Sequence, residues 1–444
     1  MAGRYKAYPD YNDAKVEWLG SIPKQWGALN GKRLFKNRRE LALTSDEQLA
    51  ASQKYGVVPQ SLMIKLNDAK VMLALKGTST FRHVEKDDFV ISLRSFEGGI
   101  EHSAYVGCVS PAYTVLKAVK DVEPSYYKLL FKSQPFISAL QSTTDSLRDG
   151  KSITYEQFGA IPLAVPPLPE QKQIARFLDH ETGKIDRLIA KQQALIALLK
   201  EKRQAVISHA VTKGLNPQAK MKDSGVEWLG QVPEHWEVVS FAQCVSITGG
   251  LVDPRVKPFK AYAMIAPNHI ESKSGRLLAL ETAAEQGAES GKYLCKDGEV
   301  IYSKIRPALA KACLCPRDNV LCSADMYPMR GALGLSNSYL FRLVLTDEFT
   351  AFTIMESDRV AMPKMNRETL GSTRLPIPPE SEQSDIVRHI ETECTKIDKL
   401  ISHAETAAKL LQERRTALIS AAVTGKIDVR DWEPSAPEES EVPR

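Results

Sequence analysis

The sequence predicts an α+β protein in which two globular domains of mixed α and β structure are joined by two long antiparallel helices. These helices are expected to form a coiled coil and to give the chain pseudo-twofold symmetry. Three observations predict this fold. The chain has 444 residues, which is enough for two or three domains. A set of motifs occurs twice along it, and each copy ends in a long segment with few helix-breaking residues.

The duplicated motifs mark the start and the end of each copy. Val-Glu-Trp-Leu-Gly at 16–20 returns at 226–230, 210 residues later, and in both copies a proline and a tryptophan follow at matched spacing. Pro-Pro-x-x-Glu-Gln at 166–171 returns at 378–383, an offset of 212 residues, and Lys-Ile-Asp returns at the same offset. Between these landmarks the copies diverge almost completely. We therefore expect one scaffold that carries two different surfaces.

The segment that closes each copy has apolar residues at alternating spacings of four and three, which is typical of a coiled-coil seam. The predicted seam contains Ile174, Leu178, Ile185, Leu188, Leu195, Leu199 and Val206 in the first segment and Ile386, Ile390, Ile397, Leu400, Leu411 and Leu418 in the second. Each helix would have ~40 residues and a length of about 60 Å. The alternative is that each helix buries its apolar stripe against its own domain.

Proline and glycine residues set the expected boundaries. Proline-rich stretches precede both long segments, and Gly214 and Gly425 stand just past their last periodic residues, where a helix ends. The predicted division is a first domain at 1–168, a first helix at 169–213, a second domain at 214–379, a second helix at 380–425 and a tail at 426–444.

The composition excludes few classes of function. The net charge is +5, which permits a polyanionic partner without requiring one. No stretch resembles a signal peptide or a membrane span, so we expect a cytoplasmic protein. Of the seven cysteines, Cys313, Cys315 and Cys322 lie close in sequence. A fourth zinc ligand at matching spacing is absent, so packed or surface thiols are favoured over a metal site.

No catalytic motif is found in the sequence. There is no Asn/Asp-Pro-Pro-Tyr/Phe motif for amino methylation, and Asp253-Pro-Arg does not replace it. The chain also lacks a Gly-x-x-x-x-Gly-Lys-Ser/Thr phosphate loop and a Gly-x-Ser-x-Gly nucleophile motif. We therefore predict no catalytic residue and no cofactor bound by this chain.

The duplicated motifs, together with Ser-Pro-Ala-Tyr-Thr-Val-Leu at 110–116, resemble the specificity subunits of type I restriction-modification enzymes over about residues 8–428. The resemblance implies two target-recognition domains, each reading one half of a bipartite, asymmetric site in double-stranded DNA. It also implies that the helices set the unread gap and dock two modification subunits, which use S-adenosylmethionine. Motor-nuclease restriction subunits would add ATP- and Mg-dependent cleavage. The second copy departs from the family pattern at 322–327.

Basic residues are the candidates for DNA contacts, since cations bind phosphates and arginine can also donate two hydrogen bonds to guanine. The predicted set is Lys32, Arg33, Lys36, Arg38, Arg39, Arg94 and Arg306, and the weaker candidates are Arg148, Lys151, Lys304, Lys311 and Arg359. Arg94 and Arg306 follow apolar, strand-like runs at corresponding places in the two copies. Structural ion pairs or a solvated helix face remain the alternative for these residues.

The sequence is also compatible with two other functions. The chain could be an adaptor whose helices organise other proteins without touching DNA. It could also be an enzyme with an unfamiliar active site. The four tryptophans of the repeat, Trp18, Trp26, Trp228 and Trp236, are expected to pack in the core rather than stack on bases.

Overall fold

The computed structural model describes residues 5–67, 77–92, 98–143, 153–357 and 363–434. Contacts divide the chain into two compact units: unit 1 contains 1–192 and 406–444, and unit 2 contains 193–405. Each unit therefore holds one globular domain and a part of both long helices. Within the described ranges, no helix combines the length and the apolar composition that a membrane span requires.

The globular part of unit 1, domain 1, is built on short antiparallel strands. They are β1 (Tyr11–Asp13), β2 (Ser21–Pro23), β3 (Gly27–Asn30), β4 (Phe35–Arg38), β5 (Leu49–Ser52), β6 (Gly56–Pro59), β7 (Arg82–Val84), β8 (Phe89–Ile91), β9 (Ile100–His102), β10 (Gly107–Val109), β11 (Thr114–Ala118) and β12 (Pro162–Val165). The largest sheet has the order β4-β11-β8-β9. The other strands pair as β1-β2, β3-β12, β5-β6 and β7-β10.

Short helices cover this sheet and close an aromatic core. They are α1 (Gly31–Leu34), α2 (Gln60–Asn67), α3 (Pro124–Phe131), α4 (Gln134–Ser142) and α5 (Tyr155–Ala160). Phe35 on β4 is fully buried and meets Phe89 on β8 and Tyr127 on α3 edge to face, with ring centroids 5.7 and 5.2 Å apart. Such offset and perpendicular ring pairs are the favoured geometry for aromatic cores.

The globular part of unit 2, domain 2, repeats this framework. Its strands are β13 (Met221–Asp223), β14 (Gln231–Pro233), β15 (Glu237–Ser240), β16 (Val245–Ile247), β17 (Ala263–Ile265), β18 (Glu281–Thr282), β19 (Tyr293–Cys295), β20 (Val300–Ser303), β21 (Ala312–Leu314), β22 (Val320–Cys322), β23 (Met326–Gly331) and β24 (Arg374–Ile377). Its helices are α7 (Phe241–Cys244), α8 (Asn337–Leu343), α9 (Asp347–Ser357) and α10 (Arg367–Ser372). The pairs β13-β14 and β15-β24 and the sheet β16-β23-β20-β21 correspond to β1-β2, β3-β12 and β4-β11-β8-β9.

Domain 2 also contains a second four-stranded sheet, β18-β17-β22-β19, whose β17-β22 pair is parallel. Its core contains four thiols, which belong to Cys295, Cys313, Cys315 and Cys322 and are at most 2% exposed. Burial raises the pKa of the Cys313 thiol above its ordinary value. These cysteines are therefore packed, inert thiols. In the part of the chain that the structure describes, no group of three or more side chains could hold a metal ion.

The tryptophans of the repeat are core residues, as predicted. Trp26 and Trp236 are 6% and 0% exposed. Trp18 and Trp228 are partly buried and pack edge to face on Phe136 and Phe349. Trp18 and Trp228 thus make the same kind of ring contact, and all four tryptophans pack against the cores of their domains.

The two long helices are α6 (Leu168–Lys213) and α11 (Glu380–Val423). Pro166 and Pro167 precede α6, and Pro169 lies in its first turn, where proline is tolerated because the first turn has no internal acceptor for its N–H. Gly214 and Gly425 have φ values of +76° and +74°. These left-handed residues end the helices at the places that the sequence predicts.

Each domain holds the C-terminal end of the long helix that follows the other domain. In unit 1 the buried Tyr126 hydroxyl donates to the carbonyl oxygen of Val423 at 3.0 Å, at the end of α11. In unit 2 the Tyr339 hydroxyl donates to the carbonyl oxygen of Val211 at 2.7 Å, near the end of α6. The two bonds join corresponding residues of the repeat, since Tyr339 corresponds to Tyr126 and Val423 to Val211.

Within each unit α6 and α11 run antiparallel. In unit 1 Asp186 pairs with Arg415 at 2.8 Å, while Phe177 meets Trp432, beyond the end of α11, at a centroid distance of 5.3 Å. In unit 2 Arg203 pairs with Asp398 at 3.0 Å, while later α6 residues such as Val211 share a core with Ile386 at the start of α11. The two ion pairs exchange the same repeat positions, since Asp398 corresponds to Asp186 and Arg415 to Arg203.

The observed seam corrects part of the predicted one. A stripe of buried and half-buried positions, in steps of three and four residues, follows α6 through Ile174, Leu178, Thr182, Ile185, Ile189, Gln192, Ile196, Leu199, Arg203, Ile207 and Ala210. On α11 it follows Ile386, Ile390, Cys394, Ile397, Ile401, Ala404, Ala408, Leu411, Arg415, Leu418 and Ala422. Along the middle of both helices the stripe agrees with the predicted seam at every second position and lies one residue later at the positions between.

The one-residue displacement at alternate positions leaves four predicted seam residues outside the buried stripe. Leu188, Leu195 and Leu400 are 46%, 45% and 53% exposed, so their assignment to the seam was wrong. Val206 is half-buried, and its neighbour Ile207 takes the buried position. The remaining predicted seam residues, which include Ile174, Leu178, Ile185, Leu199, Ile386, Ile390, Ile397, Leu411 and Leu418, are buried or half-buried.

Candidate nucleic-acid interface

The clearest concentration of basic side chains in domain 2 surrounds the ring of Tyr327. The Lys304 ammonium lies 5.2 Å and the Arg367 guanidinium carbon 5.3 Å from the ring centroid. Lys364 and Arg306 lie on the two backbone segments that meet beside them. We call these five residues the Tyr327 cation cluster.

Strand pairing places the first of these cations over the ring. β20 pairs with β23 so that Tyr302 stands opposite Tyr327 and Ser303 opposite Met326. The chain that leaves β20 at Lys304 therefore passes beside Tyr327. The Lys304 N–H donates to the carbonyl oxygen of Asp325 at 3.0 Å, which fixes this path.

A distant segment brings the other cations to the same place. The Met365 N–H donates to the carbonyl oxygen of Lys304 at 2.8 Å, and Ile305 forms an antiparallel bridge with Lys364. The Tyr327 hydroxyl donates to the carbonyl oxygen of Met365 at 3.2 Å. The first two contacts join residues about 60 positions apart, and the third joins residues 38 positions apart. Together they bring the segment of Lys364 beside Lys304 and Arg367 to the ring.

The cluster has an excess of positive charge. Partial burial, followed by the nearby charges of Lys364 and Arg367, lowers the pKa of the Lys304 ammonium, and the carboxylate of Asp325 opposes this effect. Lys364, Arg306 and Arg367 are exposed. An anion bound here would relieve the repulsion among the cations, so the cluster is suited to a phosphate.

Arg306 is presented by a strained loop. Its φ of +48° and the φ of +42° at Ala310 lie in the left-handed region, which costs free energy for residues other than glycine. The loop is closed at its base by a bond of 2.9 Å from the Ser303 N–H to the carbonyl oxygen of Lys311. The Arg306 N–H donates to the carbonyl oxygen of Pro363 at 3.1 Å. The exposed Arg306 side chain therefore projects from a fixed loop beside the cluster.

In domain 1 the predicted basic run lies on α1 and β4. Lys32, Arg33, Lys36 and Arg39 are exposed, and Lys36 stands opposite Lys117 across the β4-β11 pair. The Arg39 carbonyl oxygen accepts a bond of 3.1 Å from the Arg82 guanidinium. These side chains are accessible to a polyanion, and their role in DNA binding stays a prediction.

Arg38 differs from its exposed neighbours, and its position shows that the predicted DNA contact was wrong for this residue. Its side chain is 7% exposed and forms two hydrogen bonds, of 2.7 and 3.2 Å, with the Asp88 carboxylate, and it also pairs with Glu40. Burial raises the pKa of Asp88, while the Arg38 guanidinium lowers it. Because its donors are taken by carboxylates of the same domain, Arg38 is a structural ion-pair residue and not a DNA contact.

For the other residues predicted to contact DNA, the structure gives either no position or one that points inward. Arg94, Arg148, Lys151 and Arg359 lie outside the described residues. The Lys311 ammonium donates to the carbonyl oxygen of Pro267 at 2.6 Å, which directs it inward. Sequence reasoning missed Lys364 and Arg367, because no local pattern marks them. Only the bridge between Ile305 and Lys364 reveals that they join Lys304.

Comparisons with known proteins agree with this fold. Residues 29–198 match the model of the type I restriction modification DNA specificity domain. The EcoDI specificity subunit of a type I restriction enzyme of Escherichia coli is 28% identical over 335 residues, covering 71% of this chain and 74% of that protein. The MjaVIII specificity subunit of Methanocaldococcus jannaschii is 23% identical over 444 residues, covering 96% of this chain and 98% of that protein.

The fold has a counterpart among solved structures. A chain from a type I R-M system, solved to explain complex assembly and conformational transition, aligns with a TM-score of 0.69 at 13% identity. The alignment covers 91% of this chain and 99% of that chain, so the likeness concerns the whole fold. The family model, the curated relatives and the solved structure all support a specificity subunit of a type I restriction-modification enzyme, the kind of protein to which this chain is similar.

Proposed function

We propose that this chain reads double-stranded DNA for a type I restriction-modification complex, with each domain reading one half of a bipartite, asymmetric site. The observation that carries the proposal is the Tyr327 cation cluster. Lys304 and Arg367 lie over one aromatic ring, Lys364 is close enough to Lys304 to lower its pKa, and the exposed Arg306 stands on the adjoining loop. Asp325 is a nearby carboxylate. A DNA backbone supplies the anions that such a group of charges favours.

Two kinds of contact are proposed for this surface. Lys304, Lys364 and Arg367 would position a phosphate, since their charges lie close enough to act on one another and such contacts carry no sequence preference. Arg306 would reach a base edge, because its exposed guanidinium is held by a fixed loop and can bond guanine at two acceptors. The basic residues of domain 1, Lys32, Arg33, Lys36 and Arg39, would bind phosphates of the other half-site.

The remaining functions are proposed to come from partner subunits. α6 and α11, of 46 and 44 residues, would set the length of the unread gap and dock two modification subunits. Those subunits would bring S-adenosylmethionine, and motor-nuclease subunits would bring ATP and Mg. This chain would be a non-catalytic subunit, so its purified form should neither methylate nor cut DNA.

Binding to duplex DNA across a salt series from about 50 to 200 mM tests the proposal. The affinity should fall steeply with salt, and the slope of log affinity against log salt should decrease by about 1 for each phosphate contact removed. Lys364→Ala should show this decrease. Lys296→Ala is the matched control, because Lys296 is exposed and lies before the opposite end of β20.

The outcomes separate the competing functions. An unchanged slope in Lys364→Ala would remove the cluster from the DNA interface. Absence of binding at every salt concentration would favour a protein adaptor. Methyl transfer or cleavage by the purified chain would show that it is an enzyme.

A further inference from the structure

A short hairpin precedes β18 in domain 2. Ile270 and Leu277 form an antiparallel bridge between its two arms, and the Glu271 N–H donates to the carbonyl oxygen of Arg276 at 2.9 Å. The Arg276 guanidinium also donates hydrogen bonds of 2.9 and 3.0 Å to the Glu271 carboxylate. Backbone and side-chain bonds therefore hold the two arms together. We call this segment the 270–277 hairpin.

The tip of the 270–277 hairpin is packed against α8. Gly275 has a φ of +71°, and a Cβ at this position would lie 2.4 Å from Phe341 Cζ. The Lys273 ammonium also pairs with the Asp347 carboxylate at 3.1 Å, at the start of α9. Because only a glycine fits against the Phe341 ring in this conformation, the position of the tip is fixed.

The same hairpin supports the Arg306 loop, residues 304–310. The Lys273 N–H donates to the carbonyl oxygen of Ala310 at 3.2 Å, and the Lys311 ammonium donates to the carbonyl oxygen of Pro267, just before the hairpin. Ala310 has a φ of +42° and is a strained residue of that loop. A strained backbone keeps its conformation only where neighbouring structure holds it. The hairpin therefore provides part of the structure that holds the loop in place.

The charged edge of the hairpin faces the long helices across a cleft of about 910 Å³, whose lining residues all belong to unit 2. Glu271 and Arg276 line the side of the cleft that belongs to the domain. The charged residues on the helix side are Lys200, Glu201 and Arg203 of α6 and Asp398 and Glu405 of α11. The hairpin thus contacts the Arg306 loop and also faces the helices.

Charges of opposite sign act on each other across the cleft. The pKa of Glu271 is lowered to about 2, mainly by its hydrogen bonds with Arg276 and to a smaller extent by Lys200. The pKa of Arg276 is raised, mainly by Glu271 and also by the carboxylates of Asp398 and Glu405. Each exposed pair is weak by itself, but several of them together favour one position of the hairpin relative to the helices.

The corresponding groove of unit 1 has different chemistry. It lies between α4 and α11, where Gln412 and Thr416 occupy the positions of Lys200 and Gln204. Of the described residues that line this groove, Glu413 alone is charged. In the described parts of the chain, the opposed charges therefore distinguish unit 2 from unit 1.

We propose that the 270–277 hairpin positions Arg306 for reading a base, by holding the Arg306 loop at a fixed distance from the long helices. Its tip is fixed on α8, the Lys273 N–H holds the loop, and its charged edge is attracted to the helices. Gly275 and Arg276 are positioning residues, since they act on DNA only through Arg306. The inference rests on the proposed function, in which Arg306 contacts a base edge.

Reading a base needs a more exact position than holding a phosphate does. Two hydrogen bonds from an arginine to a guanine form only within about 0.5 Å of the correct geometry. The attraction between a cation and a phosphate changes slowly with distance. A displaced hairpin should therefore weaken discrimination at one base pair and leave the salt-dependent part of the affinity unchanged.

Binding of duplex DNA to the complex of the full chain with its modification subunit tests the inference. Methylome sequencing supplies the target sequence. Duplexes with single base-pair changes in the half that domain 2 reads then measure discrimination at each position. Arg306→Ala identifies the base pair that Arg306 reads, because discrimination should be lost there.

A charge swap in the hairpin, Glu271→Arg with Arg276→Glu, is the deciding variant. It keeps an ion pair between the two arms but reverses the charges that face Lys200 and Glu405, so repulsion replaces attraction across the cleft. Discrimination should fall by about 5-fold or more at the base pair that Arg306 reads and stay the same elsewhere. Adding Lys200→Glu and Glu405→Lys restores opposite signs and should recover it.

The matched control is a charge swap outside the cleft. Asp385→Arg with Arg388→Asp reverses an exposed ion pair of α11 and should leave discrimination unchanged at every base pair. Gly275→Ala places a methyl group against Phe341 and should reduce discrimination at the same base pair as the hairpin swap. Circular dichroism monitors the folding of every variant, and the slope of affinity against salt should be unchanged in the folded ones.

Three results would contradict the inference. If Arg306→Ala loses discrimination at one base pair and the hairpin swap does not, the hairpin does not position Arg306, while the proposed function stands. If the swap lowers the affinity for every duplex and reduces the salt slope, the hairpin contacts phosphates directly. If Arg306→Ala changes discrimination at no base pair, the proposed base contact is wrong, and this inference is wrong with it.

Discussion

Domains 1 and 2 share a structural frame, which consists of their corresponding strand pairs and four-stranded sheet, and differ in the strands that are added to it. Both have the same antiparallel sheet, and each bonds a buried tyrosine hydroxyl to the end of a long helix. Domain 2 adds a mixed four-stranded sheet with a thiol-rich core, whereas domain 1 has the pairs β5-β6 and β7-β10 in addition to the frame. The contacts that hold the helices are therefore constrained, while the surface between them can vary.

The burial and the partners of basic residues also differ between the two domains. In domain 1 Arg38 is buried against Asp88, and its charge supports the fold. In domain 2 Lys304 and Lys364 lie on neighbouring segments, and Lys364 is exposed. A basic residue in a sequence can thus serve stability or ligand binding, and only its burial and its partners distinguish the two. The following substitutions test this comparison.

The largest expected effect is that of Arg38→Ala. Removing the guanidinium leaves the Asp88 carboxylate buried without its charged partner, which should cost about 3 to 5 kcal/mol of stability in domain 1. Hydrogen exchange of the β4 and β8 amides would measure this loss. Arg39→Ala, at the exposed neighbour, should change stability by no more than about 0.5 kcal/mol. Equal effects of the two substitutions would contradict the assignment of Arg38 to the fold.

Substitution of the helix-ending glycines should distinguish the two units. A Cβ on Gly425 would lie 2.3 Å from Pro23 Cδ, whereas a Cβ on Gly214 would meet Glu382 Oε1 at 3.1 Å and Trp236 at 3.2 Å. Both alanines have an unfavourable φ, so we expect about 1 to 2 kcal/mol for Gly214→Ala and about 2 to 4 kcal/mol for Gly425→Ala. Amide exchange in the last turns of α6 and α11 would report each value. A larger loss of stability for Gly214→Ala than for Gly425→Ala would contradict the tighter packing at the end of α11.

The tyrosine bonds should have similar strength in the two units. Tyr126→Phe and Tyr339→Phe each remove one buried hydroxyl that donates to the end of a long helix. We expect each substitution to cost about 1 kcal/mol, the usual net value of a hydrogen bond. Urea unfolding monitored by exchange at the two helix ends would compare them. A loss in only one unit would show that the frame is not equivalent in the two copies.

The smallest expected effect concerns the reactivity of Lys304. Burial and the charges of Lys364 and Arg367 lower its pKa, so more of the neutral, nucleophilic amine is present near neutral pH. Lys304 should react with an acylating reagent faster than in the Lys364→Ala variant, and bound DNA should slow the reaction. Peptide mass spectrometry would measure both rates. Labelling that DNA leaves unchanged would place Lys304 outside the interface.

The sequence was sufficient for the large features of the fold. The helix ends follow from proline and glycine, whose backbone limits are local, and the repeat predicts that both copies use one frame. Trp26 and Trp236 were assigned to the core because both copies retain them. Signals of this kind are encoded in short stretches of chain.

Other features depended on three-dimensional packing. The seam near Leu188 and Leu400 was misplaced by one residue, because each is followed by another apolar residue, Ile189 or Ile401, and packing decides which of the two neighbours is buried. The approach of Lys364 to Lys304 depends on pairing across about 60 residues. The burial of Arg38 depends on Asp88, 50 residues away on the chain. None of these three features is marked by a pattern within a short stretch of sequence.

Methylome sequencing after a domain exchange tests the central claim most directly. Residues of about 10 to 160 would be replaced by those of a related specificity subunit, and the chain would be expressed with its modification subunit. One half of the methylated target should change, while the half read by domain 2 and the gap should stay the same. An unchanged target, or one altered in both halves, would contradict the account of two independent reading domains on one frame.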